Sequence, residues 1–84
     1  MVYDRFKIVI EDPDIDSIKV NGSLLYINFI KPQPQLEYDT VAQLNAIQFS
    51  NFKKSKLGVS SVTVFVTYKE GIVASANAQY GKIK

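Results

Sequence analysis

The chain has 84 residues, of which 46% are apolar and 21% charged, with a net charge of +2. These proportions match ordinary globular proteins and exclude wholesale disorder, and the length allows one hydrophobic core, so residues 1–84 are expected to form a single domain. The sequence holds no histidine and no cysteine, which removes the commonest general base, the commonest metal ligand, the best protein nucleophile and every disulfide.

In chain order, residues 3–11 alternate, with Phe6, Ile8 and Ile10 on one side and Arg5, Lys7 and Glu11 on the other, the pattern of a half-buried strand. Asp12-Pro13-Asp14 breaks it, and a second strand resumes over Ile15 to Val20. Asn21-Gly22, set between apolar runs, predicts a type I′ hairpin turn. The run from Leu24 to Ile30 is apolar on both faces except at Asn28, which predicts a central strand. Lys31-Pro32-Gln33-Pro34-Gln35 reads as a connector, because two prolines remove two donors.

Thr40 followed by Gln43 fits a capping box, and Gly58 after Lys53, Lys54 and Lys56 fits a C-terminal stop, so a helix is expected over 40–57. Asn45 and Lys56 interrupt its apolar stripe of Val41, Phe49 and Phe52. From Val59 the pattern is strand again, with Val62, Val64, Val66 and Tyr68 opposed to Thr63, Phe65 and Thr67. Glu70-Gly71 supplies a turn. Ile72, Ala74, Ala76, Ala78 and Tyr80 then share one face, opposite Ser75, Asn77 and Gln79.

The predicted class is α+β, mainly β: about five antiparallel strands with one helix between the third and fourth. The order β, β, β, α, β, β resembles that of an OB-type barrel, and a helix-covered sheet or an all-β sandwich satisfies it as well.

The chemistry on offer is sparse. A lysine-activated serine, at Ser60 or Ser61 near a lysine, is the remaining nucleophile, but serines flanking a strand start are common. Asp12, Asp14 and Asp16 open like a calcium loop, but its glycine and bidentate glutamate positions hold Ser17 and Ser23. No catalytic, metal or cofactor residue is therefore assigned.

Charge is uneven: residues 1–42 carry four basic against seven acidic side chains, and residues 43–84 six against one. Lys53, Lys54 and Lys56 could contact phosphates or simply complement the negative end of a helix. The aromatics Phe6, Tyr26, Phe49, Phe52, Phe65, Tyr68 and Tyr80 fall at core-like positions. Tyr3, Tyr26, Tyr38, Tyr68 and Tyr80 are also surface candidates, since a hydroxyl needs water or a partner. Ser75, Asn77 and Gln79 mark a polar strand face.

The candidate binding surface comprises Lys53, Lys54, Lys56, Tyr68, Ser75, Asn77, Gln79 and Tyr80. The expected function is a small non-catalytic module that binds protein or self-assembles, as an accessory or inhibitory protein, helped by a core of marginal size. The alternative is an OB-like binder of single-stranded nucleic acid. Met1 to Phe6 reach acidic residues before any apolar run of signal-peptide length, and no stretch could span a bilayer. A soluble chain, cytoplasmic or virion-associated and not secreted, is the corresponding expectation.

Overall fold

A computed structural model describes residues 13–57 and 61–84, with the backbone path alone for 53–57. Its elements are β1 (Ile15–Asn21), β2 (Leu24–Phe29), α1 (Gln35–Leu57), β3 (Ser61–Tyr68), β4 (Gly71–Gln79) and β5 (Lys82–Ile83). They form a compact α+β fold, with one helix laid against a five-stranded sheet ordered β1-β2-β3-β4-β5. The strand expected over 3–11 and the helix stop at Gly58 lie outside the described residues.

The sheet is mixed and does not close, which corrects the expectation of all-antiparallel strands in an OB-like barrel. β1–β2, β3–β4 and β4–β5 pair antiparallel, but β2 and β3 are parallel, in register from Leu24 opposite Thr63 to Phe29 opposite Tyr68. The cause lies in the connection. No tight turn joins β2 to β3, and a crossover of a dozen or more residues returns the chain to the end from which β2 started. Among the described residues the helix accordingly falls between the second and third strands.

The helix starts at Gln35, earlier than Thr40. Pro34 stands just outside it, where its missing N–H is no loss, and its carbonyl accepts from Glu37 and Tyr38 N–H at 2.9 and 3.3 Å. Gln35 Nε2 donates to Asp39 Oδ1 and, at 2.8 Å, to the Val73 carbonyl, tying the first turn to β4. Tyr38 is only 5% exposed; its ring packs edge-on against Phe29 at 5.4 Å, and its hydroxyl accepts the Gln33 N–H at 2.9 Å. The partner this hydroxyl needs is internal, so Tyr38 leaves the set of surface tyrosines.

Tyr38, Val41, Ala42, Asn45, Ala46, Phe49 and Ser50 form the buried stripe of α1 at helical spacing. Against it lie Leu25, Ile27 and Phe29 of β2, Val62, Val64 and Val66 of β3, and Ala76 and Ala78 of β4. The two polar members are satisfied locally: Asn45 Nδ2 donates to the Val41 carbonyl at 2.8 Å, and the Ser50 hydroxyl donates to the Ile47 carbonyl at 2.9 Å. Ser50 Oγ also accepts the Gly81 N–H at 2.8 Å, fastening the β4–β5 turn to the helix.

Two turns differ from expectation. Asn21 pairs with Leu24, so the two-residue loop is Gly22-Ser23, and only Gly22 has positive φ, at 63°. That fits a type II′ turn, with glycine first, rather than type I′. The β3–β4 turn is Lys69-Glu70, both left-handed at φ 52° and 66°, and Gly71 is already in the strand. Two non-glycine residues in this conformation store strain of about 1 kcal/mol or more each. Replacing the pair with Asn-Gly, the sequence such a turn favours, is expected to stabilise the fold by about 1–2 kcal/mol, read as a higher urea midpoint at unchanged slope. An unchanged or lower midpoint would contradict the strain.

A register shift next to Val66 and Thr67 moves Ile72 opposite Thr67. Ile72 is 62% exposed, which corrects the expectation that it shares one face with Ala74, Ala76 and Ala78.

Candidate binding surface

Because the helix takes one side of the sheet and successive strand residues alternate, each strand presents its other residues to the opposite side. No element among the described residues packs there. Pairing registers set out the contents of this helix-free face in rows. The central row runs Lys19, Tyr26, Phe65, Ser75 across β1 to β4. On one side of it lie Ser17, Asn28, Thr67 and Ile72; on the other lie Asn21, Leu24, Thr63 and Asn77, with Lys84 opposite Asn77 across β5. Gln79 and Lys82 pair at the far margin.

Tyr26 and Phe65 sit on the parallel central strands with ring centroids 5.4 Å apart and planes 24° apart, and both are half-buried. Their fixed orientation comes from the cross-strand register, which brings side chains of adjacent strands within reach. Two threonines of β3 hold an amide on either side. Thr63 Oγ1 donates to Asn77 Oδ1 at 2.7 Å, and Thr67 Oγ1 donates to Asn28 Oδ1 at 2.9 Å. Asn28 Nδ2 in turn reaches Asp16 Oδ2 at 3.4 Å. The face therefore has a π-rich centre, a ring of hydroxyl and amide groups, and lysines at both lateral margins.

Of the residues singled out by sequence, Ser75, Asn77 and Gln79 come together on this face. Tyr68 faces the other way, half-buried and packed on the core, with Lys69 Nζ 5.6 Å from its ring centroid. Tyr80 is 59% exposed in the β4–β5 turn, at φ 55°. Lys53, Lys54 and Lys56 lie near the C-terminus of α1, on the helix side of the sheet. Asp14, from the acidic turn, accepts from Gln33 Nε2 at 2.8 Å.

Sequence reasoning missed Lys19, Tyr26, Phe65, Lys82 and Lys84 as one group. Tyr26 and Phe65 alternate out of phase with the buried Leu25, Ile27, Val64 and Val66, which was legible. Their juxtaposition depends on a parallel pairing that no local signal announces.

No described helix is long and apolar enough to cross a membrane. In comparisons with family models, curated proteins and solved structures, nothing matches this chain.

Proposed function

We propose that this chain is a non-catalytic binding module that works through the helix-free face of its sheet. The observation that carries this reading is the central row, where two oriented aromatic rings stand on the middle strands without a described element over them. A sheet face needed only for solvation is served by threonine, serine and charged residues, and rigid aromatic rings ringed by hydrogen-bonding groups suit contact with another molecule.

A second reading, contact with protein or with another copy, is favoured by a different observation. Ile30, Leu36 and Ile72, respectively 52%, 76% and 62% exposed, all belong to the end of the molecule where β2 and β3 finish and α1 and β4 begin.

Amide chemical shifts of the ¹⁵N-labelled chain separate the two. They are followed as its own concentration is raised and, separately, as a single-stranded oligonucleotide or poly-glutamate is added. The expected shifts fall on Thr63, Phe65, Ser75 and Asn77. Changes centred on Ile30, Leu36 and Ile72 would select the second reading, and changes confined to Gln43, Leu44 and Gln48 on the outer side of α1 would defeat both.

A further inference from the structure

Resting on the reading that the helix-free face is the binding surface, we infer that its partner is single-stranded nucleic acid. Bases stack on Tyr26 and Phe65, and the phosphate backbone is held by Lys19 on one side and by Lys82 and Lys84 on the other. Every base carries a π-face, so an aromatic pair on a sheet accepts bases of any sequence, provided they are free of a duplex stack.

The charges on the face select this partner over a protein. Among the described residues of this face, Lys19, Lys82 and Lys84 stand against Asp16 alone, and β1, which carries Lys19, lies four strand spacings, about 19 Å across the sheet, from β5, which carries Lys82. The aromatic pair lies between them, so a strand that stacks at the centre meets cations at both margins. Lysine is depleted from the cores of protein interfaces, and two copies of this face brought together would oppose like charges. Phosphates turn the same lysines into favourable contacts through release of counterions. The threonine hydroxyls occupy the amide oxygens of Asn28 and Asn77, which leaves the exposed Asn77 amide nitrogen as a donor to base acceptors.

The test is a fluorescence anisotropy titration of labelled single-stranded DNA and RNA of mixed sequence with the whole chain, at several salt concentrations and with unlabelled duplex as competitor. Tyr26→Leu and Phe65→Leu are each expected to weaken binding about 5- to 100-fold, while Tyr26→Phe, which keeps the ring, stays within a factor of about three. The triple variant Lys19→Ala/Lys82→Ala/Lys84→Ala is expected to flatten the dependence of log affinity on log salt by about two. Thermal melts of each variant separate loss of binding from loss of fold. Duplex DNA is expected to compete poorly.

Affinity unchanged in folded Tyr26→Leu and Phe65→Leu variants would overturn the inference. If the oligonucleotide binds and only Lys53→Ala/Lys54→Ala/Lys56→Ala weakens it, both this inference and the choice of face fail. If no oligonucleotide binds while poly-glutamate or the concentrated chain still shifts amides of Thr63, Phe65 and Asn77, the nucleic-acid inference fails and the face stands.

Discussion

Phe49→Ala is expected to remove most of the chain's folding stability. Phe49 is fully buried on α1, in the cluster that includes Val64 and Val66 of β3 and the alanines Ala76 and Ala78 of β4. Ala76 and Ala78, the β4 members of that cluster, are too small to close a gap of phenylalanine size. Truncating a buried phenylalanine to alanine costs about 3–5 kcal/mol, the spread reflecting how far a site can close up. A domain this small sits near the lower end of the roughly 5–15 kcal/mol typical of natural proteins. Phe49→Leu keeps most of the apolar volume and should cost about 1–2 kcal/mol. Urea denaturation followed by circular dichroism reads both. A midpoint for Phe49→Ala within experimental scatter of the native one would mean that this side chain is not the central helix contribution to the core.

Much of the element order was legible because its signals are local. The alternation of Val62 to Tyr68, the apolar run from Leu24 and the break beginning at Lys31 each report on a few neighbouring residues, and each lies within a residue or two of where expected, the break ending at Pro34 rather than Gln35. The helix was legible only in part. Its apolar stripe is diluted by Asn45 and Ser50 inside and by Leu36 and Leu44 outside, which are 76% and 40% exposed. Its start was mistaken because a proline before a first turn reads as a stop, although that is where proline is tolerated. Sheet topology was not legible. Whether β2 and β3 pair parallel or antiparallel depends on where a long crossover returns the chain, and this is decided by packing between α1 and the sheet. The same gap hid the candidate surface: Tyr26 and Phe65 are 39 positions apart in the sequence and meet only through that parallel pairing.

The composition of the two sheet faces ties fold to proposed function. The helix side of the sheet is covered by α1, with aliphatic and aromatic side chains and two locally satisfied polar groups between them. The other side keeps aromatic rings, amides and lysines where packing does not require them. If these side chains serve binding rather than stability, Tyr26→Thr and Phe65→Thr should cost far less stability than Phe49→Ala, since cross-strand pairs on a half-buried face contribute only about 0.2–1 kcal/mol.

Asn45→Asp is the change with the clearest physical signature, because it is nearly isosteric and exchanges an amide donor for a group whose charge and O–H depend on pH. Asn45 is fully buried on the sheet-facing stripe of α1, and its Nδ2 donates to the Val41 carbonyl at 2.8 Å. An aspartate there near neutral pH places a carboxylate against that carbonyl, on a stripe of α1 whose other members include the fully buried Val41, Ala46 and Phe49. Burial disfavours the charged form and raises a carboxyl pKa by as much as about 3–5 units, equivalent to about 4–7 kcal/mol. The sign follows from linkage. Below about pH 4, the unfolded value for aspartate, the group is neutral in both states, its O–H can donate to the Val41 carbonyl, and little stability is lost. As pH rises through that value the unfolded chain ionises freely and the folded chain does not, so stability falls by about 1.4 kcal/mol per pH unit until the raised folded value is reached. Asn45→Asp should therefore lose about 4 kcal/mol near neutral pH, most of the stability of a domain this small, and recover toward the native chain's stability when both are compared in acid. Asn45→Ala, which leaves a small cavity and no charge, should show a deficit that hardly changes with pH. A constant deficit for Asn45→Asp across this range would mean that water reaches the side chain and that this stretch of α1 is not sealed against the sheet.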